Sequence, residues 1–173
     1  MLYWLLVPLR EYFFFFNVFR YITVRTALSG ITALLISFIA GPFLIKVLKK
    51  YQIGQEIRPE GPQSHYNKRG TPSMGGILII ASTLLPTLLW GNLGNTYVWL
   101  SMLTMFFFGL IGFWDDYLKI KKKRSLGLII RNKILLQFFL SIIIGLFLIY
   151  LGLEGKFNLH LSFPFLKKWI PYL

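Results

Sequence analysis

A chain of 173 residues carries 19 Lys and Arg against six Asp and Glu, a net charge of +13, yet 55% of it is apolar and only 14% charged. A soluble domain normally carries about 25% charged residues, so a water-soluble globule is disfavoured for want of polar surface. With no cysteine, neither a disulfide framework nor a thiolate metal site is available.

The first 20 residues, MLYWLLVPLREYFFFFNVFR, are apolar but broken by Pro8, Arg10 and Glu11. They have neither the basic start nor the small-residue cleavage site of a signal peptide, and their aromatics predict a helix lying at the membrane interface. Residues 27–45, ALSGITALLISFIAGPFLI, are the first of four uncharged blocks. The others are 74–90 (MGGILIIASTLLPTLLW), 97–114 (YVWLSMLTMFFFGLIGFW) and 134–153 (ILLQFFLSIIIGLFLIYLGL). Each has 17–20 residues, and about 20 residues rising 1.5 Å each cross a hydrocarbon core of roughly 30 Å. The sequence therefore predicts an all-α, polytopic membrane protein with four transmembrane helices and an N-terminal interfacial helix, residues 1–173 forming one transmembrane domain. Gly41, Pro42 and Pro86 would kink helices in water, but a membrane bundle can satisfy the freed backbone groups. The final stretch, FPFLKKWIPYL, reads as interfacial.

The loops set the orientation. Residues 46–70 carry a net +4 and 115–133 a net +5, whereas the 91–96 connection, GNLGNT, is uncharged. The positive-inside rule places both basic loops in the cytoplasm, which puts both ends of the chain outside. In a soluble protein the cations would suggest nucleic acid. Here topology and anionic headgroups explain many of them, KKKR at 121–124 included, and no nucleic-acid partner is expected.

Topology does not explain the acids. In GFWDDYLKIKKKR, residues 112–124, two of the six acidic residues stand side by side where the third block ends. The C-terminal end of a helix carries partial negative charge, so acids there need compensation. Lys119 lies four residues beyond Asp115 and shares its face if the helix continues, while Asp116 has no comparable partner in the next turn. An acid near the hydrocarbon boundary without a local partner is a functional candidate. Against that stands an ordinary solvated helix end, but the cluster of two acids and a following lysine favours function. Paired carboxylates suit a hard divalent cation such as Mg²⁺ with phosphate oxygens completing its shell, or a base beside a metal-positioning acid. Neighbouring lysines bind phosphate as point charges. Together they predict phosphate chemistry on a lipid headgroup.

Two other stretches look chemical. The loop 54–76, GQEIRPEGPQSHYNKRGTPSMGG, is long, polar and rich in glycine and proline, as functional loops are. Lys68 and Arg69 bring charge, Thr71 and Ser73 bring hydroxyls, and His65 could be a ligand, an acid or a plain hydrogen-bonding residue. Gly75 and Gly76 open the second block, so backbone N–H groups could face an anion there, although such a pair equally serves close helix packing. The stretch SLGLIIRNK, residues 125–133, brings Arg131 and Lys133 to the start of the last block, either as topology-setting cations or as substrate contacts.

Taken together, FNVFRYITVR, GPQSH, KRGTPSMGG, IGFWDDYLK and GLIIRNK resemble the phospho-N-acetylmuramoyl-pentapeptide transferase family, a branch of the polyprenyl-phosphate sugar-1-phosphate transferases. The match runs along essentially the whole chain. The wider group shares the acidic pair, whereas the GPQSH and GTPSMGG loop points to the muramoyl-pentapeptide branch.

The resemblance implies a bacterial inner-membrane enzyme of peptidoglycan synthesis, and so of cell shape and division. It would transfer phospho-N-acetylmuramoyl-pentapeptide from its UDP-linked precursor to undecaprenyl phosphate, giving lipid I and UMP with Mg²⁺. It implies that Asp115 is the base for the lipid phosphate, Asp116 a metal or electrostatic position, and Lys119 a phosphate contact. Lys68, Thr71, Ser73, His65 and Lys133 would line the cytoplasmic cleft, and a homodimer is implied. Ser73 is commonly threonine in the family, which keeps the hydroxyl. Family members run well beyond this length, and their downstream nucleotide loop, a further catalytic aspartate and a histidine-rich loop have no counterpart here. The chain corresponds to an N-terminal half and is expected to be inactive by itself. The competing readings are a related polyprenyl-phosphate N-acetylhexosamine-1-phosphate transferase, a transporter or channel fragment, for which the acids should sit near mid-membrane, and a non-enzymatic scaffold, which leaves the 54–76 loop without a use.

Overall fold

The computed structural model describes residues 1–50, 74–122 and 127–156, and every regular element among them is helical. Two compact units divide the chain, residues 1–133 and 134–173.

The first unit opens with α1, Leu2–Leu6, which gives way at Pro8 to a 3-10 turn, Pro8–Glu11, and then to a second, Phe14–Arg20. The single interfacial helix expected here is thus three short pieces. Pro8 fits the first position of a new turn, where its missing N–H costs nothing, but cannot sit inside a continuing helix. Tyr12, Phe13, Phe14 and Phe15 remain exposed.

α2 spans Ile22–Lys50 and outruns the 27–45 block at both ends. Pro42 lies inside it, and Thr32 and Ser37 return their hydroxyls to the carbonyls four residues back. α3 runs Gly76–Trp90 with Pro86 fully buried. α4 covers Thr96–Lys121, started by Asn95, whose side chain accepts the Tyr97 N–H at 2.9 Å, as an N-cap does.

α2 packs on α3, and α3 on α4. Gly41 brings α2 against Leu78, and a methyl group added at Gly109 of α4 would run into the tip of Ile80 on α3; small residues let membrane helices approach in this way. At the far end of α3, the Trp90 indole N–H donates to Thr32 Oγ1 at 3.0 Å while its ring stacks on Phe19. The Arg25 guanidinium lies 4.3 Å from the Tyr3 ring centre, a cation–π contact.

α5, Ile130–Leu153, begins in the first unit and supplies the described helix of the second. It ends at Gly155, whose φ of +69° and N–H bond to the Gly152 carbonyl make a left-handed cap. Beyond the helix, the hydrogen-bonded Lys156 ammonium, 2.5 Å away, holds the Glu154 carboxyl below the usual carboxylate range.

Among the described residues, α2, α4 and α5 are long and apolar enough to cross a membrane. α3 has 15 residues, roughly 22 Å of rise. The block at 74–90 is shorter as a helix because Met74 takes φ 71°, a left-handed torsion incompatible with a helical start. Phe38 and Ile39 of α2 are each 75% exposed, a degree of outward apolar surface that suits lipid and not water.

Candidate functional site

The charged cluster forms because α4 does not stop where its apolar block stops. The helix continues through both acids to Lys121, so Asp115 and Asp116 stand in its last two turns. One turn further on, Lys119 comes within 2.8 Å of Asp115 Oδ2 and 2.9 Å of Asp116 Oδ1. The sequence reading gave Lys119 to Asp115 alone. The three-residue spacing to Asp116 also closes, since positions three and four apart are both neighbours on a helix, and Asp116 therefore does have a local partner.

Asp115 is only 7% exposed. Its other oxygen, Oδ1, accepts the Leu128 backbone N–H at 2.8 Å, and Oδ2 also receives Lys133 Nζ at 3.3 Å. Three donors from α4, the 127–128 segment and the first turn of α5 thus converge on one carboxylate. Such satisfaction is what a buried charge requires. Asp116 is more open, its side chain 33% exposed, and among the described residues only Oδ1 is engaged.

The cluster closes one end of an open groove of about 430 Å³ between α3 and α4. Ile77 and Ile80 of α3 and Phe113 of α4 line its apolar length; Gly109 and Gly112 leave that wall without side chains. Asp115, Asp116, Lys119 and Lys133 form the charged end. An apolar trough that ends in two ammonium groups and two carboxylates can take an amphiphile with an anionic head. The tail would bury against the helices, and the head would meet lysine donors still able to turn outward.

Four of the residues singled out from sequence are therefore brought together: Asp115, Asp116, Lys119 and Lys133. His65, Lys68, Thr71 and Ser73 lie outside the described residues. Gly76 begins α3 and reaches the groove, and among the described residues a methyl group added at Gly75 or Gly76 would meet nothing within 4 Å. Sequence reasoning missed Gly127 and Leu128. Their signal was a glycine in SLGLIIRNK, which reads as an ordinary loop residue until the loop is seen against Asp115.

The phospho-N-acetylmuramoyl-pentapeptide-transferase signature 1 matches residues 68–80. Along its full length the chain is 47% identical to the phospho-N-acetylmuramoyl-pentapeptide-transferase of Koribacter versatilis and 51% identical to that of Desulfatibacillum aliphaticivorans, covering 46% and 47% of those proteins. Over 99% of its length it is 49% identical to the enzyme of the same name from Acidobacterium capsulatum, of which it covers 46%. The chain spans about half the length of the curated relatives it matches.

Proposed function

We propose, from the premise that this chain is an N-terminal portion of the phospho-N-acetylmuramoyl-pentapeptide transferase family, that it carries the lipid-phosphate-holding part of such a transferase. The reaction moves phospho-N-acetylmuramoyl-pentapeptide from its UDP-linked precursor to undecaprenyl phosphate. The observation that carries this reading is the apolar groove ending at Asp115, Asp116, Lys119 and Lys133.

In the proposed mechanism, an oxygen of the lipid phosphate attacks the β-phosphorus of the UDP-sugar. The bond from that phosphorus to the bridging oxygen breaks, and UMP leaves with that oxygen. One phosphoanhydride replaces another, giving lipid I, so the barrier is mostly charge crowding and alignment. Lys119 and Lys133 draw the lipid phosphate to the mouth of the groove and offset its charge. A phosphate monoester has its second pKa near 6, so the two lysines need only favour the dianion, and orienting the nucleophile matters as much as removing a proton.

Mg²⁺ dependence belongs to the same proposal. Mg²⁺ commonly takes one or two carboxylates and completes its shell with phosphate and water, and the unengaged oxygen of Asp116 fits that use. Asp115, its oxygens already taken by protein donors, fits it less well. When bound, the ion would neutralise charge on the phosphates.

The same reading makes α3 a fourth crossing, the N-terminal segment interfacial, and the 46–73 and 115–133 loops cytoplasmic in a bacterial inner membrane. The test is binding of polyprenyl monophosphate to the chain in nanodiscs, against the unphosphorylated alcohol and inorganic phosphate. Binding that needs both tail and phosphate supports the proposal, and equal binding of the alcohol overturns it.

A further inference from the structure

The sharpest steric constraint at the site falls on a residue that carries no chemistry. A Cβ added at Gly127 would overlap the Asp115 carboxylate at Oδ1, its carbon, and the Asp115 backbone carbonyl. Gly127 does not have a positive φ, so space and not torsion calls for glycine. The next residue donates its N–H to Asp115 Oδ1 at 2.8 Å, and the same carboxylate holds Lys119 at 2.8 Å and Lys133 at 3.3 Å through Oδ2. One oxygen is thus fixed by the backbone after Gly127, and the other sets the place of two ammonium groups that face the groove.

We propose that Gly127 and the Leu128 N–H form a clasp on Asp115 that fixes Lys119 and Lys133 for binding a phosphate headgroup, which makes Gly127 a positioning residue of this site. The proposal rests on the lipid-phosphate reading above. A side chain at 127 must push the 127–128 segment away from α4, because turning the Asp115 carboxylate leaves the overlap with its backbone carbonyl. That movement breaks the Leu128 bond and frees the carboxylate to rotate. The lysines would then keep their charge but lose their common anchor.

The experiment measures two quantities on the whole chain in nanodiscs of zwitterionic phospholipid. One is hydrogen exchange at the Leu128 amide, and the other is affinity for polyprenyl monophosphate. Gly127→Ala is expected to speed Leu128 exchange and to weaken binding about tenfold, the order of one charge-assisted contact. Gly30→Ala, where an added Cβ meets nothing within 4 Å among the described residues, is expected to change neither. The deciding comparison is a double-mutant cycle with Asp115→Ala, which removes the carboxylate that Gly127 accommodates. Whatever Asp115→Ala does alone, adding Gly127→Ala to it is expected to change affinity less than about twofold. Independent losses in that cycle, as a merely structural glycine would give, overturn the clasp. So does unchanged Leu128 exchange, or unchanged affinity in Gly127→Ala. If the parent chain binds no polyprenyl monophosphate, the lipid-phosphate reading fails and takes the positioning role with it. Binding by the parent together with an uncoupled cycle overturns the clasp alone.

Discussion

Lys119 Nζ stands between two neighbouring carboxylates, 2.8 Å from Asp115 Oδ2 and 2.9 Å from Asp116 Oδ1. One ammonium group thus offsets the repulsion of two acids adjacent in sequence near the end of a helix whose dipole disfavours both. Lys119→Met keeps much of the apolar stem and removes the charge. It is expected to cost about 1.5–3 kcal/mol of stability, the range for hydrogen bonds to charged groups, as read from denaturant unfolding in detergent. Polyprenyl monophosphate binding should weaken with it.

The two acids are expected to differ in their contribution to stability. Asp115 is buried with three donors, whereas Asp116 is partly open with Lys119. Asp115→Ala is expected to cost about 3 kcal/mol, since it leaves Lys133 and a backbone N–H without their acceptor and takes from Lys119 one of its two carboxylates. Asp116→Ala should cost under about 1 kcal/mol. Parallel unfolding curves of the two variants make the check; equal losses would contradict the burial difference.

Gly109 sets how closely α4 approaches α3. Its added Cβ would strike the end of the Ile80 side chain, which can swing aside for a methyl group but less readily for a branched residue. Gly109→Val is expected to destabilise by about 1–3 kcal/mol through overpacking. Ile80→Ala in the same chain should restore part of that loss. Thermal unfolding of the single and double variants reads both effects.

The bond from Trp90 Nε1 to Thr32 Oγ1 ties α3 to α2 at 3.0 Å. Trp90→Phe and Thr32→Val should each lower stability, and their double variant should lose less than the two together. The coupling is expected near 0.6 kcal/mol, the average for hydrogen bonds between membrane helices. Additive losses would show that the bond contributes nothing.

The long apolar blocks were legible in the sequence because length and lack of charge report directly on membrane helices. Three of the four reached crossing length as helices; the fourth, already the shortest block at 17 residues, lost two more because Met74 leaves the helical region, a torsion that hydropathy does not encode. The interfacial helix at the start was broken by Pro8, whose effect the composition of that segment outweighed in the reading. At the site, Asp115, Asp116, Lys119 and Lys133 were legible from residue type and from the family resemblance. The pairing of Asp116 with Lys119 was overlooked because only the four-residue spacing was weighed. Gly127 and Leu128 were not legible, because their contribution is an empty volume and a backbone N–H, and both acquire meaning only when the segment before α5 lies against α4.

The unbroken course of α4, from Thr96 beneath the apolar block to Lys121 beyond the acids, couples depth to chemistry. A helix is stiff along its axis, so the carboxylates travel with whatever the apolar segment does in the bilayer. Thinner lipid tilts or sinks the rod and thicker lipid lifts it. On the proposed reading, membrane thickness therefore tunes the height at which an embedded headgroup meets the charged end of the groove, with no moving part in between.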